Sequence, residues 1–231
     1  MKLRDLWGDF RAAPAASLAR WQDQRFLWLL MAGLSVFMLV VAHSLFQNYL
    51  YMKPCEQCVY TRLAFVLMAL GGLAAAVNPK NVALKLVGYG LALWGIVYGI
   101  GVALKLDRIH HAVHSDNPFG VQGCSTDPVF PLGLPLDRWS AEWFKPTGDC
   151  GYDNPIVPDG TQLSAIQQWL VDFYAEGWYL WPKSHFMNMA QATLIVYAVC
   201  LAVLLACAIA WLVALVRSRR PRTPNLVSPA A

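Results

Sequence analysis

Four long stretches of the chain are almost free of charged residues. They cover residues 26–46, 59–77, 86–104 and 190–216. Each has about the twenty residues that an α-helix needs to cross ~30 Å of hydrocarbon. The pattern therefore predicts an all-α membrane protein built as a bundle of four transmembrane helices. Several glycines in the third stretch, such as Gly88 and Gly95, indicate close helix packing, so we expect this helix at the bundle centre.

The composition agrees with a membrane protein, because 57% of the residues are hydrophobic and only 14% are charged. An ordinary soluble domain is less apolar and carries more charge. The first apolar stretch follows a basic segment, residues 1–25, and no small-residue cleavage site comes after it. We therefore expect this stretch to stay as an anchor rather than to be removed as a signal peptide.

Basic residues predict the orientation, since short loops rich in Lys and Arg stay in the cytoplasm. Residues 1–25 and 217–231 are thus predicted as cytoplasmic tails around a membrane domain at 26–216, and 11–19, rich in Ala, is expected to be disordered. Loops 47–58 and 107–189 are predicted on the periplasmic side. The charges that decide this are Lys2, Arg4, Arg11, Arg20 and Arg25, then Lys80 and Lys85, then Arg217, Arg219, Arg220 and Arg222.

The long segment, residues 107–189, is acidic, with ten Asp and Glu against four Lys and Arg. Its second part turns periodic, and Leu163, Ile166, Leu170 and Phe173 share one helical face. Aromatic residues cluster around this face, which favours a helix in the membrane interface, although a small cap packed on the bundle has the same pattern. The basic residues are explained by topology, so no nucleic-acid partner is expected.

Cys55 and Cys58 form a C-x-x-C motif directly after Pro54, where the second predicted helix begins. Backbone N–H groups at a helix start stabilise a thiolate and lower its pKa, which suits thiol–disulfide exchange. Zinc sites use the same spacing, but a closed site needs two further ligands. Cys124 and Cys150 are not spaced as a second C-x-x-C, so we expect no metal.

Arg62 lies one helical turn after Cys58 and inside the predicted membrane boundary. A charged residue at full depth costs roughly 2.5–3.5 kcal/mol, so Arg62 calls for an anionic partner. A quinone head group that gains negative charge on reduction would supply one. The alternative is a snorkelling anchor that reaches the lipid head groups.

The other cysteines and the histidines leave alternatives open. Cys124 and Cys150 could form a plain stapling disulfide or take part in an electron relay with the C-x-x-C pair. Cys200 and Cys207 are interpreted as small buried apolar residues. His43 could face a quinone pocket or only another helix. The last group, His110, His111 and His114, has metal-like spacing, but we expect an exposed cluster at the interface.

Three motifs together resemble the disulfide bond formation protein B (DsbB) family. They are residues 53–62 around the C-x-x-C, residues 134–139 and residues 148–150. The resemblance implies an enzyme of the bacterial inner membrane that reoxidises a periplasmic thioredoxin-fold oxidase and reduces ubiquinone or menaquinone. It implies that Cys124 and Cys150 receive electrons from the partner, that Cys55 and Cys58 couple to the quinone, and that Arg62 contacts it.

The stretch after Cys150 is longer than in the family's basic pattern, and in this it resembles the DsbI branch. The partner would then be a DsbL-like or DsbA-like oxidase, expected to be basic because the long segment is acidic. Two alternatives remain. A vitamin K epoxide reductase-like enzyme should carry its C-x-x-C on the last helix, and a non-enzymatic scaffold would use its cysteines only for structural disulfides.

Overall fold

The computed structural model describes residues 8, 10–115 and 124–219, and in this part four helices are long and apolar enough to cross a membrane. The predicted all-α membrane fold is confirmed. In chain order the helices are α1 (Pro14–Trp21), α2 (Arg25–Val40), α3 (Glu56–Val77), α4 (Val82–Val113), α5 (Leu136–Trp139), α6 (Ala141–Phe144), α7 (Ala165–Phe173) and α8 (Met189–Arg219), of which α2, α3, α4 and α8 are the long ones.

Shorter elements complete the chain. The helix α2 continues as a π-helical segment, Val41–Tyr49, and single 3-10 turns cover Pro131–Gly133 and Pro182–Ser184. Two short strands, β1 (Tyr179–Trp181) and β2 (Phe186–Asn188), form an antiparallel hairpin just before α8. The hairpin and α7 both belong to the long segment.

The most enclosed of the spanning helices is α3, and not α4 as the glycine pattern predicts. In the most apolar window of each helix, 67% of α3 is buried inside the protein but only 39% of α4. Glycine explains part of the pattern, because an ideal Cβ on Gly95 would lie 2.7 Å from the Ala64 carbonyl oxygen of α3. Gly90 and Gly101, however, face open space. The glycines of α4 therefore let one face approach α3 without making α4 central.

The N-terminal residues before α2 are ordered where the structure describes them, so the expected disorder of residues 11–19 is wrong. Helix α1 packs against α8 and buries Ser17 and Ala19. Just after it, Gln22 donates a hydrogen bond of 3.0 Å from Nε2 to the carbonyl oxygen of Cys207. Small side chains on one face of α1 allow this close packing. The Ala-rich composition, which suggested disorder, is what makes the close contact with α8 possible. Residues 1–7 and 220–231 lie outside the described residues.

A closed polar cluster lies at the end of the bundle where α4 begins. The Lys85 side chain is only 2% exposed, and its Nζ lies 2.5 Å from Asp23 Oδ1. The same ammonium group lies 5.0 Å from the centre of the Trp211 ring. Lys85 is therefore a buried cation whose charge is matched by a carboxylate and an aromatic face.

Candidate active site

The C-x-x-C motif lies at the start of α3, at what we call the cysteine end of the bundle. Cys55 is the N-cap residue, and its Sγ accepts a hydrogen bond of 3.2 Å from the backbone N–H of Cys58. Cys55 is buried and Cys58 is half-buried, and both are free thiols. The hydrogen bond between the two side chains, and then burial, raises the pKa of Cys55 well above its usual value. The lowering of the thiol pKa that was expected of the C-x-x-C motif is therefore not found at Cys55, whose thiol favours its protonated form.

Cys124 and Cys150 form a disulfide, with their Cα atoms 5.7 Å apart. Cys150 is buried and packs in one apolar cluster with Cys55, Leu106 of α4 and Ala190 of α8. Cys58 and Cys124 pack against the same cluster as half-buried members. The fold thus brings all four predicted site cysteines together, although the two pairs are far apart in sequence.

Backbone hydrogen bonds hold the loop segment before Cys150 against the residues that precede the C-x-x-C motif. The N–H groups of Thr147 and Gly148 donate to the Pro54 carbonyl oxygen at 2.9 and 3.1 Å. An ideal Cβ on Gly148 would lie 2.5 Å from the Lys53 carbonyl oxygen, so any larger residue would push the two segments apart. This glycine explains how Cys150 comes so close to the helix start.

A second set of contacts holds the chain just after Cys124. The carboxylate of Glu56 accepts hydrogen bonds from the Ser125 N–H at 3.0 Å and from the Tyr60 hydroxyl at 2.9 Å. The same hydroxyl accepts a bond of 2.8 Å from the Val129 N–H. Glu56 and Tyr60 are functional candidates that the sequence does not reveal, because their partners lie some 70 residues away.

A cavity of about 550 Å³ lies between α2, α3, α8 and the hairpin. This volume is in the range of small-molecule sites, and the lining is mostly apolar. Of the four cysteines, Cys58 alone lines it. The other polar side chains in its wall are Lys53, Thr61, Arg62 and Asp153, and the apolar wall includes Phe46, Phe65, Trp178, Leu180 and Met187.

Arg62 is only 4% exposed, so it is enclosed by protein and the snorkelling alternative is wrong. Its Nη1 donates to the Trp143 carbonyl oxygen at 2.8 Å and its Nη2 donates to Gln47 Oε1 at 2.7 Å. Both partners are neutral, and neither is the anion that the sequence led us to expect. Gln47 comes from the π-helical segment, and no local pattern in the sequence links it to Arg62.

The model of the disulfide bond formation protein DsbB family matches residues 24–208. This range contains all four site cysteines and Arg62. The chain belongs to the DsbB family. The resemblance found in the motifs is thereby confirmed, and the alternatives of a vitamin K epoxide reductase-like enzyme and of a non-enzymatic scaffold are set aside.

Relatives that match nearly the whole chain are named DsbI. The protein-disulfide oxidoreductase DsbI of Salmonella typhimurium is 57% identical over 222 residues, which is 94% of this chain and 99% of the relative. A DsbI from Escherichia coli O6:K15:H31 is 55% identical over 222 residues, with 94% and 100% covered. A putative DsbI from Campylobacter fetus is 56% identical over 214 residues, with 93% and 100% covered. This DsbB-family protein is a protein-disulfide oxidoreductase and a multi-pass protein of the bacterial inner membrane.

Among the histidines of this DsbB-family protein, His110 differs from the prediction. His110 is buried and lines a small cavity beside Cys55 and Cys58, so the prediction of an exposed cluster holds only for His111 and His114. His43 is also buried, and its ring stacks on Trp143 with the centroids 3.9 Å apart. It does not line the large cavity. Among the described residues, no group of three His, Cys, Asp or Glu side chains is placed to hold a metal.

Asp153 is a further residue of the site that the sequence does not single out. It is half-buried and lines both the small cavity and the large one. Burial raises the pKa of its carboxyl to about 6. A carboxyl group that titrates near neutral pH beside two thiols is suited to proton transfer.

Proposed function

We propose that this oxidoreductase reoxidises a periplasmic thioredoxin-fold dithiol oxidase, DsbL-like or DsbA-like, and passes the electrons through its two cysteine pairs to ubiquinone or menaquinone. One observation carries the proposal. Four cysteines share a single apolar cluster, and of these Cys58 alone opens into the large cavity. Electrons that enter at the exposed side of the cluster therefore have one exit.

Electrons enter at Cys124, which is half-buried whereas Cys150 is only 6% exposed. A thiolate of the partner attacks Cys124, the Cys124–Cys150 bond breaks, and Cys150 leaves as a thiolate. Cys150 then attacks Cys55 of an oxidised Cys55–Cys58 pair, and Cys58 is released as a thiolate. The second thiolate of the partner attacks the mixed disulfide between the partner and Cys124, and Cys124 leaves as a thiolate. Cys124 then attacks Cys150, so the Cys124–Cys150 bond re-forms and Cys55 is released.

The large cavity fits a quinone head group by size, lining and charge. A bound quinone supplies a two-electron acceptor. Cys58, Thr61 and Arg62 would hold it, and the guanidinium of Arg62 has only neutral hydrogen-bond partners, so its positive charge remains available. A fixed positive charge in a buried site stabilises negative charge that develops on a ligand.

The proposed orientation has both termini in the cytoplasm and the cysteine end at the periplasmic surface, as the basic flanks of the helices predict.

We infer that α7 lies in the membrane interface. The Ile166 and Trp169 side chains of α7 are 70% and 61% exposed, and Trp181 and Phe186 of the hairpin are also exposed. Large exposed aromatic and aliphatic side chains at a bundle end are typical of interfacial elements.

Quinone reduction by the purified protein tests the proposal. The donor is a reduced periplasmic thioredoxin-fold oxidase, and short-chain ubiquinone and menaquinone analogues are the acceptors. We expect turnover by the wild type and loss of turnover in Cys55→Ser, Cys58→Ser, Cys124→Ser and Cys150→Ser. Absence of wild-type turnover with DsbL-like and DsbA-like donors and with both quinones would overturn the proposal.

A further inference from the structure

Asp153 joins the two cavities of the site. In the small cavity it lies with Cys55, Cys58 and His110, and in the large cavity with Cys58 and Arg62. A carboxyl group in this position faces the Cys55 thiol on one side. On its other side lies the large cavity, where the electron acceptor is proposed to bind. No other carboxylate in the described part of the chain lines both cavities.

We propose that Asp153 is the proton-transfer residue of the reaction, which takes the proton of the Cys55 thiol when the Cys55–Cys58 pair is oxidised and delivers it towards the acceptor in the large cavity. The inference rests on the proposed function and adds to it a route for the proton.

The need for such a residue follows from the balance of the reaction. Two thiols become one disulfide by losing two electrons and two protons, and a quinone gains two of each when it becomes a quinol. One proton leaves Cys58 when its thiolate forms. The other stays on Cys55 until the S–S bond with Cys58 forms. In that step the Cys55 S–H bond breaks, the Asp153 carboxylate accepts the proton, and a quinone in the large cavity would take up the two electrons that the two sulfurs lose.

The backbone holds the carboxylate in place. The backbone N–H of Trp178 is directed at Asp153 and lowers the pKa of its carboxyl, against the larger effect of burial. Gly177, just before it, has φ of +109°, a conformation that residues with a side chain rarely adopt. An ideal Cβ on Gly177 would also lie 3.0 Å from Asp153 Oδ1. The turn at Gly177 therefore positions the N–H and leaves room for the carboxylate.

The surroundings of Asp153 tune it for proton exchange. Burial is the main cause that raises the pKa of Asp153 to about 6, while the Trp178 N–H and the nearby His114 act in the opposite direction. A carboxyl of this kind is largely ionised at neutral pH and still basic enough to accept a proton. The titratable groups that face it are Lys53, Cys55, Cys58 and Arg62, then His110 of α4 and His114 directly after α4, then Asp149, Tyr152 and Tyr179.

Asp153→Asn tests the proposal, with Asp159→Asn as the control because Asp159 is an exposed carboxylate of the same loop. In one readout the protein is reduced with dithiothreitol, freed of dithiothreitol, and mixed with a short-chain ubiquinone in a single turnover. We expect Asp153→Asn to be roughly 100-fold slower, as for loss of a general base. The wild-type rate should rise with pH through about 6, because the carboxylate is the active form. This rise should be absent in Asp153→Asn and kept in Asp153→Glu.

The second readout needs no quinone. Infrared difference spectra between the oxidised and the reduced Cys55–Cys58 pair should show a change in a carboxyl C=O band that is lost in Asp153→Asn and kept in Asp159→Asn. A band that ignores the redox state of the pair, or a single-turnover rate in Asp153→Asn equal to that of Asp159→Asn, would overturn the role of Asp153. Failure of the wild type to reduce quinone would instead count against the proposed function, and the infrared result would then decide on Asp153.

Discussion

Two buried cations lie at opposite ends of the bundle, and their surroundings differ. Lys85, where α4 begins, is paired with the Asp23 carboxylate and lies over the Trp211 ring. Arg62, near the start of α3, donates only to the neutral oxygens of Gln47 and Trp143 and borders a cavity of about 550 Å³. Lys85 thus has a carboxylate partner, whereas the hydrogen-bond partners described for Arg62 are neutral, which supports the role proposed for Arg62 at the quinone site.

The partners of a buried cation distinguish a structural charge from a functional one. A buried charge is costly unless it is paired, so a buried cation with neutral hydrogen-bond partners in the wall of a cavity supports the proposal that a ligand supplies the negative charge. In the sequence, Arg62 stands out because it lies one turn after the C-x-x-C motif, and Lys85 is one of the basic residues that predict the orientation. The partners of the two side chains become known only from the folded chain.

Removal of the Arg62 charge should have the largest effect on turnover. We predict that Arg62→Gln lowers the rate of quinone reduction by roughly 100-fold, because a buried donor that stabilises developing charge contributes on that scale. Lys85→Met is the matched control, since it removes the other buried cation. Its turnover should stay within a few-fold of wild type. Equal losses in the two variants would contradict the assignment of Arg62 to the quinone site.

A stability measurement tests the pairing of Lys85 with Asp23. Asp23→Asn leaves the Lys85 ammonium buried without its carboxylate, and we expect the free energy of unfolding to fall by about 3 kcal/mol, the lower end for such losses because Asp23 is 47% exposed. Denaturant unfolding in detergent micelles measures the change. Gln47→Leu, which removes one neutral hydrogen-bond partner of Arg62, should lower the free energy of unfolding by only about 1.5 kcal/mol. A smaller loss in Asp23→Asn than in Gln47→Leu would reverse our interpretation of the two sites.

Asp153 predicts a pH dependence of stability. Its pKa is about 6 in the folded protein against 3.8 for a free carboxyl, so the folded state holds this proton more tightly than the unfolded state. The resulting stabilisation is fully present below pH 3.8 and is lost as the pH rises through 6. With allowance for its partial exposure we expect a loss of about 2 kcal/mol between pH 4 and 7. Asp153→Asn should lack this component, and an unchanged pH profile in the variant would contradict it.

The smallest expected effect concerns the partner. The acidic long segment should attract a basic oxidase and speed the encounter. We predict that the rate constant for association falls a few-fold when the salt concentration rises from about 0.01 M to 0.15 M, because the Debye length shortens to about 8 Å. Stopped-flow mixing at several ionic strengths measures it. A rate insensitive to salt would remove electrostatic steering from the account.

Sequence patterns predict the parts of this molecule that depend on local order. Runs of apolar residues indicate the four spanning helices, and the spacing of Cys55, Cys58 and Arg62 indicates that they share a helix start. Contacts between distant segments carry no such pattern. Gln47 reaches Arg62 only through the π-helical segment, and Asp153 reaches the thiols only because the backbone at Gly148 docks on Lys53. The same limit applies to α1, whose packing on α8 gives order to an Ala-rich stretch.

In the proposed reaction, electrons leave the protein from Cys58 into the large cavity. The most direct measurement is a single turnover of pre-reduced protein with a short-chain ubiquinone in the absence of any partner, followed by quinone absorbance. Cys58→Ser is compared with Cys200→Ser, which changes a cysteine of α8 outside the cavity. We predict that fully reduced protein reduces two quinones, one for each of its two cysteine pairs, in wild type and in Cys200→Ser, and none in Cys58→Ser. Quinone reduction that survives in Cys58→Ser would contradict it.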